Sequence, residues 1–409
     1  MLSQRSGFLV ATGILAFGAG IATASDEPPL YPPSEVELQF SEDPYAGQDK
    51  LDMIKNGLAY LADIRYESTS FSSGNSAYTQ VYGDFCVYDA QLNKGDDPSL
   101  YSTVDEMINT SDHCGDHTYT LPLDEVVAAV LSHDNNAGQT NPPLSGFIFH
   151  VGYSGAGLLS NTLATFATTS VVPEHPAIHA ALHACDAIRA KFLSEDCSPL
   201  LQKQLVKDVI TLATRTSDTS ITHSYIKFYA DSTTYLPMVR ELFPSVPWAF
   251  HYRDVETVLA KSTQPKREYC VFVRRKPSAV LAQKAEEYNL DLDGMTKEDL
   301  CALYLSTLLE VATQEHESSG TGKLILYEQL LEADFMTTTL LQYFGLQAEI
   351  DADAATVSAN VESTLSTKSS NRGEVKKWNP SEEVVHISDK VRTASELFLG
   401  NAMEAIGRL

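Results

Sequence analysis

The stretch Gly146-Phe-Ile-Phe-His-Val-Gly-Tyr-Ser-Gly-Ala-Gly-Leu-Leu-Ser-Asn161 limits the fold more than any other part of the chain. An apolar run from Phe147 to Val151 stops at Gly152, and three glycines fall within the six residues that start there. Leu158, Leu159, Leu163 and Phe166 then follow at helical spacing. The pattern reads as a buried strand, a tight loop and the start of a helix. Such a junction gathers backbone N–H groups and the positive end of a helix at one point, which favours a phosphate or sulfate. An ordinary strand-to-helix turn carries glycines too, so the surrounding chain has to decide.

The surroundings alternate. Short apolar strands are expected over 170–172, 223–229, 248–252 and 324–327. Helices are expected over 177–193, 200–214, 237–243, 255–260, 300–315 and 335–344, the last ended by Gly345. Strands separated by helices imply an α/β fold, a parallel sheet flanked by helices. Ligands on such a sheet bind at the carboxyl ends of the strands, where the glycine loop falls. A further helix is expected over 123–131, a loop over 135–143, and a mobile, Ala/Ser/Thr-rich surface segment over 350–372. The expected organisation is a leader at 1–24, an N-terminal extension at 25–140, an α/β core at 141–350, and a C-terminal segment at 351–409 that packs on the core.

The leader has three parts. Arg5 precedes an apolar, glycine-containing run from Gly7 to Gly20, and Ala22-Thr-Ala24 follows. That is the layout of a secretory signal peptide, with a retained membrane anchor as the alternative. The pathway leads to the Golgi lumen or to secretion, where the six cysteines have an oxidising environment. Neighbours in sequence suggest Cys86–Cys114 and Cys185–Cys197 among the fifteen connectivities that six cysteines allow, with buried free thiols the alternative reading, above all for Cys270 and Cys301. Asn109-Thr-Ser111 is a glycosylation sequon. A formal charge of −25 argues against nucleic acid as a partner.

Against that charge, Arg253, Lys261, Lys266, Arg267, Arg274, Arg275 and Lys276 crowd into 24 residues of a chain with only 29 Lys and Arg. A solvated basic loop is one reading. The other is that an acidic protein with an anionic ligand must gather its cations in one place. Arg253 ends an apolar strand and is expected on the same sheet edge as the glycine loop.

Three stretches together resemble the sulfotransferase family, which moves the sulfuryl group of PAPS (3′-phosphoadenylyl sulfate) to hydroxyls or amines. Residues 147–160 are similar to the family's 5′-phosphosulfate loop. Residues 243–261, with Arg253-Asp254 in place, resemble its 3′-phosphate segment. Leu326-Tyr-Glu-Gln-Leu330, with Phe344-Gly-Leu346, resembles its late strand and helix. The resemblance covers about residues 141 to 350 and implies a P-loop NTPase-like sulfotransferase architecture. It implies PAPS as co-substrate without a metal, and a carbohydrate or protein acceptor. It implies that backbone N–H groups of Gly152, Tyr153, Ser154, Gly155, Ala156, Gly157 and Leu158 hold the 5′-phosphosulfate and that Arg253 pairs with the 3′-phosphate. Lys227, in Tyr225-Ile-Lys-Phe228, would donate to the bridging oxygen, unless it is an ordinary solvated lysine at a strand end. Glu174 would be the acceptor's base. His179 and His183 are spaced i, i+4, but without a third ligand a partly solvated helix face is expected instead of a metal site.

The departures from the family are specific. Tyr153 stands where a basic residue is common. Ala156-Gly157 replaces a Ser/Thr pair that would offer two hydroxyls. Lys261 stands where a serine is expected, so that Ser262 restores it only by a one-residue shift and Lys261 could itself add charge at the 3′-phosphate. Arg372 is only faintly similar to the family's late Arg-Lys-Gly segment. A catalytically degenerate member that binds a nucleotide, glycan or protein partner is therefore the alternative to an active enzyme. An ATP-using P-loop kinase is disfavoured, because no Gly-Lys-Ser/Thr follows the loop.

Overall fold

Phe147, Ile148 and Phe149 are all fully buried, so the strand that carries them is covered on both faces. A near-continuous apolar run of this kind belongs at the centre of a parallel sheet. In the computed structural model that is where it lies. The structure describes residues 47, 49–69, 78–88, 103–111, 113–114, 118–137, 141–186, 197–264, 270, 273–274, 277–368, 376–377 and 385–408. The leader, the segment 25–41, Lys266, Arg267, Arg275, Lys276 and Arg372 lie outside these residues.

Before the central sheet, β1 (Tyr60–Thr69), β2 (Tyr78–Cys86) and β3 (Tyr119–Pro122) form an antiparallel sheet in that order. The sequence pattern does not reveal it. A register irregularity between Leu61 and Asp63 leaves Leu61, Ala62 and Ile64 all buried, which breaks the alternation that marks a strand. The helices that accompany this sheet, Lys50–Lys55 and Leu123–Ala137, are joined by a buried arginine. Arg215, at 2% exposure, makes two bonds to the Asp134 carboxylate of 2.7 and 2.9 Å and donates to the Ile54 carbonyl.

The main sheet comprises β4 (Leu144–His150), β5 (Thr169–Pro173), β6 (His223–Lys227), β7 (Trp248–Tyr252) and β8 (Lys323–Leu326). The order is β5-β6-β4-β7-β8, with every neighbouring pair parallel. The chain fills one side of β4 and then the other, so a crevice opens at the carboxyl end of β4. One face of the sheet sets Phe147, Phe149, Trp248 and Phe250 in the core with the long helix Lys297–Ser319. The other sets Ile148, Ala249 and Ile325 against Leu159, Leu163, Leu340 and Phe344.

Helices α1 (Lys50–Lys55), α2 (Val104–Thr110) and α3 (Leu123–Ala137) belong to the N-terminal part, and α4 (Ala156–Ala164) follows the glycine loop. Next come α5 (Pro176–Leu182), α6 (Pro199–Ala213), α7 (Leu236–Leu242) and α8 (Val255–Ser262). Helix α5 ends well before residue 193, with His183 as its C-cap. The expected helix at 335–344 begins at Ala333 and runs as a π-helical stretch over Met336–Leu341.

A correction concerns residues 350–372. Most of the segment is not a mobile surface stretch but the helices Gln347–Ala352 and Ala354–Leu365, with Val357, Val361 and Thr364 buried. Val357 and Val361, four apart, pack into the same core as Leu159 and Leu163 of α4. Cys86–Cys114 and Cys185–Cys197 are disulfides, as their spacing led us to expect, and Cys270 and Cys301 are buried free thiols. Two disulfides suit an oxidising compartment. Among the described residues no helix is long and apolar enough to cross a membrane.

Candidate functional site

The glycine loop turns within five residues of β4. Gly152 (φ +81°), Tyr153 (φ +50°) and Gly155 (φ +80°) all adopt the left-handed conformation that reverses a chain tightly. A Cβ on Gly155 would sit 2.9 Å from the Tyr327 ring and 3.0 Å from Leu330, so this position needs glycine for space as well as for φ. Two loop N–H groups are already engaged. Gly152 N–H donates to His150 Nδ1 at 2.9 Å, and Leu158 N–H to the Gly155 carbonyl at 2.8 Å. This corrects the expectation that every N–H from Gly152 to Leu158 faces a ligand, and it narrows the cradle to the residues between. Within it the Ser154 hydroxyl, 1% exposed, has no hydrogen-bond partner. A buried, unsatisfied hydroxyl in a turn of this shape needs an acceptor from elsewhere.

Four adjoining strands deliver ionisable groups to the same edge. Lys227 ends β6, Arg253 follows β7, Glu174 follows β5, and His150 ends β4. Together with Lys261 of α8, Tyr327, Thr367 and the loop, these residues line a cavity of about 260 Å³. Lys227 is 4% exposed, so it is not the solvated strand-end lysine that surface statistics favour. Its Nζ lies 3.0 Å from Glu174 Oε1, and the Glu174 N–H donates to the Lys227 carbonyl at 2.7 Å. His150 accepts from Gly152 at Nδ1, so its Nε2 carries the proton and donates to the Phe228 carbonyl at 2.9 Å, with Glu174 Oε1 at 3.4 Å. Burial alone would push the Glu174 carboxyl up. The Lys227 charge and the His150 hydrogen bond outweigh it and hold the group at about 2. Glu174 therefore stays ionised across the physiological range.

Arg253 stacks its guanidinium 4.0 Å from the centre of the Tyr327 ring. Asp254 caps the next helix, its Oδ2 accepting from Thr257 N–H at 2.9 Å, which fixes the backbone beside Arg253. Lys261 is 6% exposed with Nζ 5.9 Å from the Tyr153 ring, so it brings a cation to the loop where the sequence has no basic residue. Ser262 does not substitute for the missing serine, because its hydroxyl donates to the Val258 carbonyl inside α8. Arg274 lies apart, donating to the Met295 carbonyl at 2.7 Å.

Backbone strain collects here. Tyr153 (φ +50°) and Glu174 (φ +45°) are two of the three non-glycine residues with positive φ among the described residues. Such conformations cost about 1–3 kcal/mol each and persist where surrounding structure enforces them, which is typical of functional sites.

A second cavity, of about 630 Å³, adjoins the first and shares His150, Tyr153 and Glu174 with it. His179, Tyr229, Asp231 and Tyr304 complete much of its wall. His183, expected on a partly solvated helix face, is 4% exposed. Sequence reasoning missed His150, Tyr327 and Thr367. A histidine closing an apolar strand directly before the loop was the available signal for His150. Thr367 comes from a stretch read as mobile surface.

The fold and site define a parallel-sheet α/β protein with a glycine loop and a cation-lined cavity at the carboxyl edge of its central strands. No protein-family model and no curated protein matches the chain. Among solved structures it is similar to the sulfotransferase STF9 from Mycobacterium avium, at 11% identity over 73% of this chain and 88% of that one. The TM-score is 0.34.

Proposed function

We propose that the chain is a sulfotransferase of the secretory pathway, taking the sulfuryl group of PAPS to a hydroxyl or amine of a carbohydrate or protein. The observation that carries this reading is the Lys227–Glu174 pair, whose lysine lines one cavity and whose carboxylate lines two. One cavity is lined by three cations and a glycine loop, and the other is larger and shares Glu174 with it. The family resemblance of the loop and of the Arg253 segment supports the choice of PAPS over other anions.

In this reading the phosphosulfate occupies the loop, with Ser154 Oγ and Lys261 as side-chain donors, and Arg253 takes the 3′-phosphate. An acceptor hydroxyl enters from the larger cavity and its oxygen attacks sulfur. The bond between sulfur and the bridging phosphate oxygen breaks, the hydroxyl proton passes to Glu174, and the phosphate leaves with its new charge on Lys227. The products are a sulfate ester and adenosine 3′,5′-bisphosphate. Sulfuryl transfer, like phosphoryl transfer, asks for positioning and electrostatic stabilisation of charge on the equatorial and leaving oxygens. A carboxylate held at about 2 is a weak base. Drawing Lys227 toward the departing oxygen removes the strongest influence that holds it down, so proton affinity rises as the leaving group forms.

The test is transfer from radiolabelled PAPS to a panel of glycans and tyrosine-containing peptides. Glu174→Gln is expected to lower kcat by about 10²–10⁴, the usual contribution of a general base, with little change in nucleotide affinity. A degenerate, non-transferring member is the second reading. It is favoured by Ala156 and Gly157, which offer no hydroxyl, and by the engaged N–H groups of Gly152 and Leu158. Nucleotide binding without transfer to any acceptor in the panel would establish it.

A further inference from the structure

Beside the larger cavity is a cluster of three groups that the proposed transfer does not use, two of them, His179 and Asp231, in the cavity wall. His179 lies on α5, His183 caps its end, and Asp231 lies in the first turn of the 3₁₀ helix Ala230–Tyr235 that follows β6. Because β5 and β6 are neighbours, the segments leaving their carboxyl ends meet. One ligand atom from each of the three residues lies within 4.8 Å of the others. Asp231 is the third ligand that the His179–His183 spacing lacks in sequence.

We propose that His179, His183 and Asp231 form a binding site for a divalent transition-metal ion of the zinc type, with an open coordination position toward the cavity. Three features support it. The first is spacing. His179 Nδ1 is 3.5 Å from Asp231 Oδ1, and His183 Nε2 is 3.8 Å from Asp231 Oδ2. Those two contacts reach different oxygens of Asp231, and with one atom from each residue within 4.8 Å of the others, side-chain rotation brings the set to the roughly 3.4 Å that separates ligands about 2.0–2.1 Å from a tetrahedral ion. The second is the support behind His183. Its Nδ1 donates to Asp186 Oδ2 at 2.6 Å, and the Tyr235 hydroxyl donates to Asp186 Oδ1 at 2.5 Å. A carboxylate on Nδ1 fixes the tautomer that turns the lone pair of Nε2 toward Asp231, the arrangement found behind metal-binding histidines. The third is accessibility. His183 is buried, but the side chains of His179 and Asp231 are 28% and 19% exposed and both line the cavity. Three protein ligands with a solvent-facing fourth position make an open site, able to hold an oxygen of whatever enters the cavity. The metal site stands independently of what the glycine loop binds.

The test is equilibrium dialysis of the chelator-treated protein against Zn²⁺, with Co²⁺ absorption reporting tetrahedral or five-coordinate geometry. One ion per chain is expected. The partly exposed positions are varied first, because changing buried His183 risks the fold. His179→Ala and Asp231→Asn, each checked by circular dichroism, are expected to abolish stoichiometric binding. Asp186→Asn is expected to weaken it by about 10–100-fold, as loss of a supporting carboxylate does. No binding by the parent protein would overturn the proposal and leave the cluster as a hydrogen-bonded relay. So would one bound ion that persists in both His179→Ala and Asp231→Asn, since the remaining histidines would then be its source.

Discussion

Removing the Lys227 cation is the sharpest perturbation the site offers, because the group it pairs with cannot follow it into water. Lys227 Nζ and Glu174 Oε1 are 3.0 Å apart, with side-chain exposures of 5% and 18%. At an effective dielectric of about 20, two unit charges at that separation attract by about 5.5 kcal/mol before desolvation is subtracted. Glu174 held at about 2 instead of 4.5 corresponds to roughly 3 kcal/mol of net preference for the charged form. Lys227→Met is therefore expected to destabilise the protein by about 3–5 kcal/mol at pH 7, the range for stranding one partner of a buried pair. Glu174→Gln in the same background removes the stranded charge and should recover about 1–3 kcal/mol. Urea unfolding followed by the fluorescence of Trp248, buried in the sheet, measures all four corners of the cycle. The coupling also has a pH signature. Because the folded value is depressed, the stabilisation by Glu174 is complete above about 4.5 and declines as pH falls toward 2. A loss below about 1 kcal/mol for Lys227→Met, or one equal in the Glu174→Gln background, would refute the pairing and with it the proposed coupling of base to leaving group.

Two further outcomes follow from the same geometry. Gly155→Ala is expected to destabilise by about 1–3 kcal/mol through its φ of +80°. It should also weaken anion binding, because its Cβ would push Tyr327 and so the guanidinium stacked on it; unchanged affinity in the folded variant would separate Arg253 from the loop. His251 is fully buried, and burial, helped by neighbouring His150, depresses it to about 3. The unfolded chain takes up that proton below about 6.5 while the folded one does not, so the stabilisation is lost as pH falls below 6.5. Replacing it, as in His251→Leu, should make the fall of stability between pH 6 and 4.5 shallower by about 1.4 kcal/mol per pH unit, measured by denaturant unfolding. An unchanged slope would mean the histidine is protonated in the folded protein.

Much of the α/β sheet was legible because its signals are local. An apolar run ended by glycine, and another ended by Arg253-Asp254, mark strands whose carboxyl ends must meet if the sheet is parallel. Lys227 and Glu174 could be named from their strands, but their ion pair depends on β5 lying beside β6, which no local pattern encodes. The antiparallel sheet at β1 and β2 was hidden by the irregularity at Leu61–Asp63. Helix Ala354–Leu365 was hidden by composition, since only Val357 and Val361 mark its buried face among alanines, serines and threonines. Tyr327 falls in the stretch 326–330 that marked a strand and helix but no site role, and Asp231 carries no motif. Their proximity to Arg253 and to the α5 histidines comes from the strand order alone.

The central claim is that the glycine loop and Arg253 hold the two anionic ends of a nucleotide. Calorimetric titration of the folded protein with adenosine 3′,5′-bisphosphate tests it most directly. The account predicts saturable one-to-one binding that weakens with salt and falls about tenfold to a hundredfold in Arg253→Ala, the loss of charge-assisted hydrogen bonds worth about 1.5–3 kcal/mol. No binding at millimolar nucleotide, or equal binding by the Arg253→Ala protein, would contradict it.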